Sequence, residues 1–184
     1  MKKSLGIIAL AIVMGITTGC KEEKKSESII VKKIDHKAPS GPISMQEYTQ
    51  ATEAEWGGET VVCEISRKPD ASLPMVSNEN GQKFVDNRIT LKISYQNGGV
   101  ILDKSFTKSD FNSALDDDYR RTGVLEGLVY DKMEDGKMKF AASVSHPQTD
   151  EYIPIVLQVS KNGSFSISRD TQMDTSGEED FNNA

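Results

Sequence analysis

The sequence predicts a mostly β domain of antiparallel hairpins, and three observations point to it. Asn97-Gly98, Asp135-Gly136 and Lys161-Asn162-Gly163 are turn-forming stretches, each set between two strand-length segments. The flanking segments alternate apolar and polar residues, the period of a half-buried strand. Only two segments, after Ser44 and after Thr107, open with a helix-start signal. A sandwich and a single sheet with a helix on one face both satisfy this pattern, with one or two short helices bringing it towards α+β.

The first elements are processing signals. Lys2 and Lys3 precede an uncharged apolar run from Leu5 to Ile16, and Thr17-Thr18-Gly19 then puts small residues before Cys20. The run is far shorter than the roughly twenty residues a spanning helix needs, so residues 1–19 read as a signal peptide. The pattern resembles the lipobox of bacterial lipoproteins, with Thr17 where Leu or Val is usual, and that resemblance makes Cys20 the lipid-attachment residue. Residues 20–42 form a tether rich in Lys, Glu and Ser that ends in Pro39-Ser40-Gly41-Pro42. Lys21-Glu22-Glu23 resembles the Lys-acid-acid signal that sends some Gram-negative lipoproteins to the cell surface. Outer-membrane attachment with the domain facing outward is therefore expected, with the periplasmic face as the alternative.

The globular domain is expected over residues 43–173. Ser44-Met45-Gln46-Glu47 has the form of a capping box, which suggests a short helix from Met45 to Glu53 or, nearly as well, an extended segment into Trp56. Thr60–Ser66 reads as a strand and Pro69–Asn87 as a long irregular connection. Arg88–Tyr95 and Gly99–Thr107 form a hairpin about a two-residue Asn97-Gly98 turn, pairing Tyr95 with Val100, Ile93 with Leu102, Ile89 with Phe106 and Lys92 with Asp103. Thr107-Lys108-Ser109-Asp110 starts a helix whose apolar stripe is Phe111, Ala114, Leu115 and Tyr119. The three aspartates Asp116–Asp118 favour loop in its second half, and Gly123 suits a left-handed residue after it. Val124–Met133 pairs with Lys137–Val144 about Asp135-Gly136. A three-residue loop pairs Val159 with Phe165 and Leu157 with Ile167, leaving Gly163 left-handed. Residues 174–184 carry four acids and read as a disordered tail.

Composition narrows function by exclusion. The formal charge of the 184-residue chain is −6, and removing a signal that holds two lysines and no acid makes it more negative. Phosphate neutralisation dominates nucleic-acid binding, so nucleic acid is not an expected partner. Cys20 and Cys63 are the two cysteines; with Cys20 lipidated, no intramolecular disulfide can form, and Cys63 in an alternating strand reads as a buried hydrophobe. His36 and His146 have no Cys or His at metal-ligand spacing. Asp131–Gly136 lacks an oxygen ligand at Met133 and a terminal acid at Ala142, so a turn explains it better than a calcium loop. Asp116–Asp118 read as a solvated rim rather than a calcium site, and Trp56 as core rather than a sugar-stacking platform. No catalytic, cofactor-binding or metal-binding residue is assigned.

One resemblance covers most of the domain. Leu73-Pro74-x-Val76, Asp86-Asn87-x-Ile89-Thr90-Leu91, Phe106-Thr107-Lys108, Leu125-Glu126-Gly127 and Pro147-Gln148-Thr149-Asp150-Glu151-Tyr152-Ile153-Pro154 resemble a domain-of-unknown-function family of bacterial lipoproteins. The resemblance implies a lipoprotein with one mostly β domain and brings no activity. The expected function is a lipid-anchored envelope protein that binds or scaffolds an envelope protein or glycan, the alternative being a carboxylate-using hydrolase or glycan-processing accessory.

Overall fold

The computed structural model describes residues 41–171. The chain divides into two units, Met1–Asp35 and His36–Ala184, and the described residues belong to the second. The signal peptide, Cys20, His36, nearly all of the tether and the acidic tail lie outside the described residues.

Among the described residues, ten strands form two four-stranded antiparallel sheets and one short hairpin. The first sheet has the order β1-β2-β5-β6, made of Tyr48–Glu55, Thr60–Pro69, Asn87–Tyr95 and Val100–Phe106. The second has the order β10-β9-β8-β7, with β7 at Val124–Glu134, β8 at Lys137–Ser145, β9 at Tyr152–Val159 and β10 at Phe165–Arg169. The small hairpin, β3 (Val76–Ser77) and β4 (Lys83–Phe84), orders the middle of the connection read as irregular. The fold is mostly β, as the hairpin signals require.

One apolar core joins the two sheets. Cys63, Ile65, Leu91 and Ile93 of the first sheet cluster with Leu128, Met138, Phe140 and Leu157 of the second. The alternation that puts these side chains inside is the period-two pattern of each strand. At one edge β1 lies against β7, where the Tyr48 hydroxyl donates to the Leu128 carbonyl at 3.0 Å. At the other edge a 3₁₀ helix, Lys108–Ala114, fills the space between β6 and β10. Phe111 sits 5.8 Å from the Phe106 ring, and Phe165 meets Phe106 edge-on at 5.5 Å. Trp56 is buried and donates its Nε1–H to Gly136 O at 2.9 Å, tying the β1–β2 turn to the β7–β8 turn.

Four expectations need correction. The segment after Ser44 forms strand β1, not a helix from Met45 to Glu53, because Tyr48 to Glu55 pair residue by residue with Arg67 to Thr60. The Asn97-Gly98 turn is not a two-residue loop. Gly98 N donates to Tyr95 O at 2.9 Å and Gly98 has φ +95°, so the loop is Gln96-Asn97-Gly98 and the extra residue is absorbed as a bulge at Ile101. Below the bulge the register is as read, with Ile93 opposite Leu102, Lys92 opposite Asp103 and Ile89 opposite Phe106. Lastly, the second half of the stretch after Thr107 is helix rather than the loop its three aspartates suggest, and the break falls at Leu115, ahead of them. Asp116 becomes the N-cap of α1 (Asp117–Thr122), where acids in the first turn suit the helix dipole. Gly123 ends that helix with φ −79°, not left-handed. A Cβ there would lie 2.7 Å from Tyr119 O and 2.7 Å from Val144 Cγ1, so close approach demands the glycine.

The other two hairpins match their readings. Asp135 (φ +50°) and Gly136 (φ +73°) are both left-handed, as a two-residue turn needs. Val159 faces Phe165, Leu157 faces Ile167 and Gly163 has φ +79°.

A buried polar knot clips the sheets together. Asp86, almost fully buried, accepts from the backbone N–H of Asn87 and of Leu125, both at 2.8 Å. Asn87, wholly buried at the start of β5, returns a bond from Nδ2 to Leu125 O at 2.9 Å. Lys108 Nζ stands 3.5 Å from Asp86 Oδ2 and donates to Gly123 O. Three of the segments that carry the family resemblance, at Asp86-Asn87, Lys108 and Leu125, meet here for a structural reason.

Candidate functional site

The cysteine expected in the core is there. Cys63 is fully buried, 3.8 Å from Met138 Sδ, and burial pushes its thiol up to about 12. Nucleophilic sulfur chemistry needs the thiolate, which burial in apolar surroundings suppresses. Trp56 belongs to the core and presents no face for a sugar. Asp131–Gly136 runs out along β7 into the tight turn, with Glu134 opposite Lys137.

The three aspartates are directed at separate partners. Asp116 pairs with Arg169 at 3.2 Å, Asp117 with Arg120 at 2.6 Å, and Asp118 faces His146. Among the described residues no three His, Cys, Asp or Glu side chains converge as a metal cage.

His146, set aside in the sequence for want of a metal partner, lies at the centre of a cluster instead. It follows the last residue of β8 and opens the turn that leads into β9, held by His146 N donating to Glu151 O at 3.0 Å and Thr149 N to His146 O at 3.3 Å. Gln148 takes φ +67° in that turn, a left-handed conformation uncommon away from glycine. The turn folds Glu151 back so that its Oε2 lies 3.0 Å from His146 Nδ1. On the other side α1 brings Asp118 Oδ2 to 3.1 Å from Nε2, a contact lying off the line of a hydrogen bond, which leaves Nε2 without a hydrogen-bond partner. The Tyr119 ring stacks on the imidazole with centroids 4.1 Å apart. Burial, then the nearby Glu151 and Asp118 carboxylates, raises the Tyr119 hydroxyl above its ordinary range.

This cluster forms one wall of a cleft of about 520 Å³. Asn78, Glu79 and Asn80 from the β3–β4 turn form the opposite side, and Thr122, Gln148 and Thr149 complete the lining. The volume is that of a small-ligand site. Among the described residues, three carboxylates, two asparagines, a glutamine and hydroxyls line the cleft, and no Lys or Arg does. Such a lining accepts hydrogen bonds from hydroxyl, amide and ammonium groups and disfavours anions. Both nitrogens of His146 lie within 3.1 Å of a carboxylate oxygen, Nδ1 beside Glu151 and Nε2 beside Asp118.

Comparison with known families places the chain. The family model described as a domain of unknown function, DUF4738, matches residues 28–167, and the chain belongs to that family. No curated protein matches the chain.

Proposed function

We propose that the protein is a lipid-anchored envelope protein whose sandwich binds a glycan in the cleft between α1 and the β8–β9 turn. The lipobox-like run to Cys20 supports the anchor, and Lys21-Glu22-Glu23 supports display at the cell surface. The tether up to Pro42 gives the domain room to reach a partner. The single observation that carries the binding reading is the cleft itself, where amide and carboxylate side chains from three elements converge on one concave space. Vicinal hydroxyls and acetamido groups of an amino-sugar chain match such donors and acceptors.

Binding is favoured over carboxylate-driven hydrolysis by the state of the acids. Asp118 and Glu151 each commit one carboxylate oxygen to His146. An acid–base pair acting on a glycosidic bond must instead face the bond from both sides, with its pKa values pushed apart. The test is titration of the full chain with peptidoglycan-derived oligosaccharides, beside Glu151→Gln and Asn80→Ala variants. Saturable binding weakened in both variants supports the reading. Oligosaccharides that leave the chain unchanged sink it, and cleavage of the sugar would hand the site to the hydrolase alternative.

A further inference from the structure

A second cleft, on the other side of α1, has the opposite character. It measures about 430 Å³ and lies between the loop leading into β3, the 3₁₀ helix and α1. Lys108, Arg120 and Arg121 line it, with the hydroxyl-bearing Thr107 and Ser109 beside them. Among the described residues its one lining acid is Asp86, whose Oδ1 is taken by the backbone N–H groups of Asn87 and Leu125 and whose Oδ2 faces Lys108. Three cations around one space are unexpected in a chain of formal charge −6.

Each cation retains donor capacity. Lys108 carries three N–H groups and meets Gly123 O and Asp86. Arg120 carries five and directs Nε to Asn112 O and Nη1 to Asp117. Arg121 has Asp118 at 3.8 Å, a loose pair on an exposed surface. Pairs of that kind contribute little and yield to a better acceptor. Opposite the cations stands an apolar wall that includes Met75, a large side chain left 42 % exposed.

We infer that this cleft is an anion site that takes a phosphate group carried on an apolar substituent, with Lys108, Arg120 and Arg121 on the phosphate and the Met75 wall on the substituent. Planar guanidinium forks grip phosphate oxygens in pairs, and the hydroxyls of Thr107 and Ser109 add neutral donors. A soluble monoester and a lipid headgroup both carry such a phosphate, and the two differ in charge and bulk at the same chemistry.

The test follows backbone amide NMR signals of the full chain in neutral detergent while inorganic phosphate, butyl phosphate or glycerophosphoglycerol is added. Saturable shifts at Ser109, Asn112 and Arg121, with butyl phosphate binding more tightly than inorganic phosphate, are expected. The double variant Arg120→Gln/Arg121→Gln should weaken binding by about tenfold or more, the scale of losing charge-assisted bonds. Lys68→Gln, an exposed cation elsewhere, should leave it unchanged. A response to glycerophosphoglycerol assigns a headgroup source, and a response to butyl phosphate alone assigns a soluble monoester. Shifts that never saturate, or that persist in the double variant, or that weaken equally in Lys68→Gln, overturn the site.

Discussion

Asp86 shows how one side chain can hold two sheets together. Its carboxylate serves the N–H groups of Asn87 and Leu125 and faces Lys108, so removing it strands two buried donors and a half-buried ammonium. Asp86→Ala should destabilise the domain by about 3–5 kcal/mol, the range for breaking one partner of a buried charged network, as read by chemical denaturation. Asp110 behaves differently. Although burial works the other way, the Thr107 N–H and Lys104 hold its carboxyl below the ordinary 3.8. A depressed carboxyl contributes stability that is present above the unfolded value and is lost as pH falls through the folded one. Acid titration of unfolding should therefore show a loss below about pH 4 that flattens in Asp110→Asn; identical curves would rule out that contribution. The thiol of Cys63 should resist alkylation at neutral pH until the domain unfolds, since burial holds it near 12.

Turns and strands carry the next level. Gly98 and Gly163 both have positive φ, yet a Cβ at Gly98 meets open space whereas one at Gly163 falls 2.5 Å from Ile101 O. Gly98→Ala should cost about 1 kcal/mol for backbone strain alone. Gly163→Ala should cost clearly more, because strand β6 must also move; equal thermal shifts would contradict that difference. These hairpins were legible in the sequence because each combines a local turn with an alternation that only one register satisfies. Even so, the Ile101 bulge was hidden, since a bulge changes one residue's pairing and leaves the face pattern below it intact. Strand β1 is ambiguous in the sequence, between a helix and the extended segment it forms, for a different reason. Tyr48, Ala51 and Ala54 recur at a helix-like spacing, and Ser44-x-x-Glu47 imitates a cap. Tyr48–Glu55 is an edge strand whose half-buried positions include Gln50 and Thr52, so pairing with β2 decides its state rather than its own hydrophobicity.

At the scale of the whole molecule the site was far less legible than the fold. His146, Glu151 and Asp118 become neighbours only when α1 is laid beside the β8–β9 turn, and nothing in the local sequence near His146 announces Asp118. The usable signal was the segment Pro147–Pro154, whose Pro-Gln-Thr-Asp run marks a tight turn between two strands. The envelope reading makes its own prediction. Chain recovered from cells should begin at Cys20 and carry lipid, and Cys20→Ala should leave an unprocessed precursor; intact mass decides between them. A diacyl anchor is needed for stable attachment, since each buried methylene adds only about 0.8 kcal/mol.

The most direct test of binding at the acidic cleft is the imidazole NMR signal of His146 in the full chain, followed during titration with peptidoglycan-derived oligosaccharides. The ring is wedged between Asp118 and Glu151 and stacked on Tyr119, so a ligand in the cleft must perturb it. Binding there requires a saturable shift of the His146 signals that is lost or weakened in Glu151→Gln while the fold, judged by backbone amide dispersion, stays intact. Oligosaccharide binding that leaves the His146 ring unmoved, or no binding at any concentration reached, would contradict it.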